Sequence, residues 1–194
     1  MIMLLKTMVF VMTVLSSSAM AEPLRVVGAN NVAPDLRWQV VNDTVMGGRS
    51  SSRLKRPKEA LHFSGHLNTN GGGFASLRSD RIGLDLAATT LVRLKVKGDG
   101  RTYSVRLYAA GQRASYQHTF STVADQWQTV ELAISDFSAA WRGRRIDQGP
   151  LAPANIAGMG LILADGIDGG FEIAVDWIEF DTQAALDPAQ RSET

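Results

Sequence analysis

The 194-residue chain contains no cysteine. That excludes a disulfide scaffold, a thiol nucleophile and a thiolate metal site, and leaves the hydrophobic core to supply stability alone. Histidine is almost as scarce, with only His62, His66 and His118. His62 and His66 are four residues apart in a strand-like run, roughly 13 Å at ~3.3 Å per residue, so they cannot share a metal ion. All three read as exposed strand histidines. Net charge is missing too. Lys6 is the one charged residue among the first 21, and the remainder carries 19 acidic residues against 19 basic ones. A neutral chain lacks the basic face that nucleic-acid binding requires. The one basic run, Arg53-Leu54-Lys55-Arg56-Pro57-Lys58, reads as a solvated loop. No serine sits in a Gly-x-Ser-x-Gly elbow, and neither Gly47-Gly48 nor Gly71-Gly72-Gly73 carries the Lys-Ser/Thr of a phosphate loop. These absences assign no catalytic residue, no cofactor and no metal.

The first 21 residues have the form of a leader. Lys6 precedes an apolar core from Met8 to Leu15, and Ser16-Ser17-Ser18-Ala19-Met20-Ala21 has the small-x-small form of a signal-peptidase site, with cleavage before Glu22. The apolar run is shorter than the roughly 20 residues that a spanning helix needs. The expectation is an exported protein, periplasmic or secreted, with residues 1–21 as signal peptide, 22–182 as a single domain and 183–194 as a flexible polar tail.

Beyond the leader, alternation with period two dominates. Leu61 and Phe63, then Val92, Leu94 and Val96, then Tyr103, Val105 and Leu107 alternate with polar neighbours. So do Tyr116 and Phe120, Val130, Leu132 and Ile134, and finally Phe171, Ile173, Val175 and Trp177. Such alternation marks strands with one buried face. Glycine and polar clusters at 47–48, 71–73, 98–100, 110–112 and 165–170 cut the runs into short strands. The fold class is therefore all-β, an antiparallel sandwich or barrel. One short turn is expected at Ser135–Trp141, capped by Ser135. The last strand slips phase, because Ile178 and Phe180 follow Trp177 on even positions. A β-bulge near Trp177-Ile178 would explain this. So would burial of both faces, the reading that Ala174 on the outer side favours.

Three carboxylates in that strand, Glu172, Asp176 and Glu179, look superficially like a laminarinase-type signature. Ala174 stands where the first carboxylate belongs. Glu172 and Asp176 lie roughly 13 Å apart by strand rise, against ~5–5.5 Å for a retaining pair. No hydrolase is expected. Asp165-Gly166-Ile167-Asp168-Gly169-Gly170 offers two carboxylates and several carbonyls, which suit either a hairpin turn or a structural calcium loop.

The most specific stretch is Trp38-Gln39-Val40-Val41-Asn42-Asp43-Thr44-Val45-Met46-Gly47-Gly48-Arg49-Ser50, where a strand ends in a constrained Asn-Asp and Gly-Gly loop. Phe63-Ser64-Gly65 and Gly72-Gly73-Phe74-Ala75-Ser76-Leu77-Arg78 follow, and Val175-Asp176-Trp177-Ile178 closes the pattern. Together these segments, spanning Trp38 to Phe180, resemble the complex I intermediate-associated protein 30 family. The resemblance implies a galactose-binding-like jelly-roll sandwich and a non-catalytic role as an assembly factor for respiratory complex I on the mitochondrial matrix side. An exported chain lies on the opposite side of a membrane, so the expected partner is an envelope or membrane protein.

Asp43, Arg49 and Arg78 are candidate binding residues within these motifs. One expectation is that Asp43 pairs with an arginine and locks the two glycine loops together. The other is that these groups face a ligand. Among the aromatics, Tyr108 and Trp141 are candidates for a carbohydrate-binding face, whereas Tyr116 and Trp127 are expected in the core. A carbohydrate-binding module is the alternative function.

Overall fold

The computed structural model describes residues 22–29, 36–57 and 60–182. The expected leader, residues 1–21, and the expected tail from 183 lie outside the described residues. Two antiparallel sheets carry almost all of the regular structure. The first is ordered β3 (Ser51–Lys55), β4 (Leu61–Leu67), β13 (Gly169–Asp181), β6 (Leu91–Lys97) and β9 (Trp127–Ala133), with β1 (Leu24–Val27) also paired to β13. The second is ordered β11 (Arg144–Arg145), β10 (Ser138–Trp141), β8 (Ser115–Ser121), β7 (Thr102–Ala109), β12 (Ile156–Leu163), β5 (Ala75–Ser79) and β2 (Trp38–Asn42).

The period-two runs point their apolar sets into the space between the sheets. Phe63, Val92, Leu94, Val96, Tyr103, Val105, Leu107 and Ile173 are all fully buried there. Phe63 meets Phe171 edge-on at 5.0 Å between ring centres, and Tyr103 stacks on Phe120 at 6.2 Å. Such pairs add to the burial of aromatic area. The basic run at Arg53 begins as β3, an edge strand whose alternate residues are exposed. Charged side chains on an edge discourage pairing with other chains.

The phase slip in β13 is a bulge, where the register with β6 shifts between Val175 and Trp177. The face beyond it is also covered, by ion pairs rather than by a layer of apolar residues. Arg25 binds Glu179, and Arg93 reaches Asp181 at 2.7 Å and Glu131 at 3.2 Å. Both explanations offered for the slip therefore contribute, and the bulge sets the phase. The turn expected at Ser135 starts earlier, as a 3-10 turn over Ile134–Asp136 after Ala133, and no side chain caps it. The remainder of that stretch is β10.

Strand direction places the β2–β3, β4–β5, β6–β7, β8–β9 and β12–β13 connections at one end of the sandwich. This end carries the glycine-rich motifs.

Candidate functional site

At the loop end, Asp43 opens a 3-10 turn over Asp43–Met46 that leads out of β2. Its carboxylate is fully buried yet touches no arginine among the described residues. Instead, Oδ1 accepts from the Ser50 amide at 2.9 Å, while Oδ2 accepts from Ser50 Oγ at 2.6 Å, the Gly73 amide at 2.6 Å and the Phe74 amide at 3.4 Å. The Asp43 amide in turn donates to the Phe74 carbonyl at 3.1 Å. One side chain thus ties the β2–β3 loop to the β4–β5 loop. The lock between the two glycine loops exists, but backbone amides and a serine form it in place of the expected arginine. Gly48 and Gly72 are required because a Cβ at either would collide with the Asp43 carboxylate. Burial alone would raise the pKa of Asp43. The hydrogen bonds from Ser50 Oγ and from the Gly73, Ser50 and Phe74 amides outweigh it and hold the value below the ordinary carboxylate range.

Two further ties complete this end. The Thr69 amide donates to Asp168 at 2.5 Å, which joins the β4–β5 and β12–β13 loops. Arg101 makes two bonds to Asp165, at 2.6 and 2.9 Å, and also donates to the carbonyls of Ile167, Gly169 and Gly170. Of the oxygens that suggested a calcium loop, the Asp165 carboxylate and three carbonyls already surround a cation, the guanidinium of Arg101, and Asp168 is taken by the Thr69 amide. Among the described residues there is no group of three metal-ligating side chains. On this braced scaffold Val45, Met46, Val123 and Ile167 project into solvent, with Val45 69% and Met46 64% exposed.

The outer face of the second sheet differs in chemistry. Pairing across the strands lines up one row: Gln39, Arg78, Gly160, Arg106, Gln117 and Ser138. Tyr108 stands beside it, paired with Gly158, and the Arg78 guanidinium lies 5.8 Å from its ring centre. Nε of Arg78, Nε of Arg106 and the Tyr108 hydroxyl are buried without a hydrogen-bond partner among the described residues. Burial lowers the pKa of Arg106. The nearby Tyr108 oxygen opposes that effect, and the charge of Arg78 adds to it.

The candidate residues thus separate. Arg78 of β5 and Tyr108 of β7 come together across β12, with Arg106, two residues before Tyr108 on the same strand, as a member that sequence reading missed. Its signal was the outward phase of Ser104, Arg106 and Tyr108 in β7. Asp43 is internal to the loop end, and Arg49 is exposed beside it without pairing to it. Trp141 lies at the far edge of the sheet, 41% exposed, with Arg142 5.6 Å from its ring centre. Trp127, expected in the core, is 49% exposed beneath Lys95 and Lys97. Tyr116 is buried as expected. His118 is half-buried and packs on Phe137 at 5.5 Å, whereas His66 is exposed. Of the three β13 carboxylates, Glu179 is engaged by Arg25 and Asp176 by Lys95 at 3.2 Å, while Glu172 is exposed.

Residues 29–175 match the family model of complex I intermediate-associated protein 30. The chain belongs to that family. It is 29% identical to the mouse protein named "Complex I intermediate-associated protein 30, mitochondrial", over 89% of this chain and 59% of that one. To the Drosophila melanogaster protein of the same name it is 26% identical, over 83% of this chain and 63% of the relative. The chain therefore spans about three-fifths of the length of these curated relatives. In structure it resembles the family 11 carbohydrate-binding module of a cellulase from Clostridium thermocellum, with a TM-score of 0.60 at 13% identity, covering 88% of this chain and all of that one. A family 29 carbohydrate-binding module gives 0.54 at 12% identity, covering 87% and 96%. The fold of this family member is the galactose-binding-like jelly-roll sandwich.

Proposed function

We propose that this protein is a non-catalytic assembly factor of the cell envelope that grips a protein partner with its loop end. The observation that carries the reading is the pair Val45 and Met46. They are exposed apolar side chains on a loop whose backbone is fixed by a buried carboxylate. Exposed apolar groups on a rigid frame suit protein contact, because little conformational freedom is lost when they are covered. The names of the relatives attach them to an intermediate of complex I. For this chain, the leader-like first 21 residues favour a client in the envelope, periplasmic or membrane-embedded. Among the described residues no helix is long and apolar enough to cross a membrane.

The test is a crosslinked pull-down of the tagged protein from its own envelope, analysed by mass spectrometry. Recovery of a reproducible membrane-complex subunit, lost in a folded Val45→Ser, Met46→Ser double variant, supports the reading. Recovery of the bait alone counts against it.

A second reading, a carbohydrate-binding module, draws on the outer face of the second sheet. That face offers a row of arginine and amide side chains over a glycine floor, on a sandwich whose structural neighbours are carbohydrate-binding modules.

A further inference from the structure

The outer row is nearly symmetric, Gln-Arg-Gly-Arg-Gln, centred on Gly160 of β12. Arg78 and Arg106 sit on the strands either side of it, roughly 10 Å apart at ~4.8 Å per strand spacing. Only a glycine fits between them. A Cβ on Gly160 would come 3.1 Å from Tyr108 Oη and 2.7 Å from the Leu77 carbonyl oxygen. The missing side chain leaves room for the Tyr108 ring over the strand, where the Arg78 guanidinium meets it.

Neither arginine has a carboxylate within ion-pair distance among the described residues, whereas Arg25, Arg93, Lys95 and Arg101 each face one. Asp80, the one acid at the mouth, is engaged by Arg37 through two bonds of 3.0 Å. Buried polar groups are normally satisfied, and a half-buried cation without a counter-ion is costly. On the Arg78 side of the row opens a cleft of about 490 Å³ lined by Gln39, Arg78, Asp80, Arg81, Tyr108 and Gly158. Its size is that of a small-molecule site.

The chemistry around the two cations narrows the ligand. Arg78 covers one face of the Tyr108 ring and the Gly160 backbone lies under it, so the face offers no bare aromatic platform for a neutral sugar. Large apolar side chains, which anchor protein partners, are also lacking in this row. Instead, hydroxyl pairs flank it, with Ser104 and Thr119 at 3.0 Å and Thr102 and Ser121 at 3.3 Å. Guanidinium groups bind carboxylates through paired hydrogen bonds, while amides and hydroxyls suit sugar hydroxyl groups. We infer that this face binds a uronic acid, with Arg78 and Arg106 holding the carboxylate, Tyr108 donating to it, and Gln39 and Gln117 reading hydroxyls to either side. The inference rests on the carbohydrate reading and uses a face separate from Val45 and Met46.

The test is an NMR titration of the isotope-labelled protein with glucuronic and galacturonic acids, their short oligomers, the corresponding neutral sugars, inorganic phosphate and an acidic peptide. Expected are shifts centred on Arg78, Tyr108, Arg106 and Gly160 with the uronates alone, weakened by added salt. Arg106→Met should weaken binding about tenfold or more. Gln117→Ala, which leaves both cations in place, supplies a milder loss if the first variant folds poorly. Binding by the free acids would assign a monosaccharide site, and binding by the oligomers only would assign an acidic glycan. Neutral sugars binding equally well at this face would keep the carbohydrate reading and overturn the acidic ligand. No saccharide binding at all would overturn both. Phosphate or peptide binding as tight as the uronates would likewise overturn the sugar assignment.

Discussion

The loop end and the outer face of the second sheet are opposites in how they treat buried polar groups. Around Asp43 four donors converge on one carboxylate, and around Arg101 five acceptors converge on one guanidinium. Both ionised groups are closed by the chain itself. On the outer face, Nε of Arg78, Nε of Arg106 and the Tyr108 hydroxyl have no hydrogen-bond partner among the described residues. Satisfied charges of the first kind hold a fold in place, because removing one orphans its partners. Unsatisfied charges of the second kind add little to the fold and are the ones available to another molecule. The family motif therefore marks two different things. Asp43 and its glycines build a frame, and Arg78 at the end of the second motif segment belongs to a surface.

The strongest way to break this comparison is Asp43→Ala. Orphaning the amides of Ser50, Gly73 and Phe74 should cost on the order of 3 kcal/mol, a fall in Tm of roughly 6–12 °C for a domain of this size. An unchanged melting curve would show that the carboxylate is not a frame element. Next in size is Arg101→Gln, which opens the β12–β13 loop and should cost about 2 kcal/mol in chemical denaturation, with faster amide exchange at Gly169 and Gly170.

Acid sharpens the same contrast. The pKa values of Asp43 and Asp165 are lowered in the fold, from an ordinary value of 3.8. A depressed carboxylate contributes stability that is complete above its unfolded pKa and is lost as pH falls through its folded one. Stability should therefore hold down to about pH 4 and decline below it. Asp43→Asn, already weaker at neutral pH, should decline less steeply. Parallel acid limbs for the two proteins would contradict the assignment. The smallest effect is expected from Val45→Ser with Met46→Ser, within about 0.5 kcal/mol of the parent, since both side chains are solvent-exposed. A large loss there would mean that the pair packs on the domain rather than waiting for a partner.

Much of the fold was legible because one face of most strands is wet. The runs at Leu61, Val92, Tyr103, Val130 and Phe171 name β4, β6, β7, β9 and β13 directly. β12, Ile-Ala-Gly-Met-Gly-Leu-Ile-Leu, escaped notice because it does not alternate. It runs through the middle of the second sheet, and the Tyr108 ring lies against its outer face at Gly160. The same burial hid the outer row, since Arg106 read as an ordinary polar alternate of Val105. Asp43 was recognised, but its partners are mostly backbone donors up to 31 residues away, which leave no side-chain trace in sequence. An arginine was the visible alternative. Trp127 was misplaced because an aromatic next to an apolar strand looks like core, whereas two lysines from β6 cover its ring on the outer side.

The most direct test of the division between frame and surface is equilibrium denaturation of Arg106→Met, which keeps the length of the side chain and removes a cation that faces no carboxylate among the described residues. The account predicts stability equal to or above the parent, because replacing an uncompensated half-buried charge with an apolar chain is neutral or favourable. A loss as large as that of Asp43→Ala would contradict it, and would place Arg106 among the groups that hold the sandwich together.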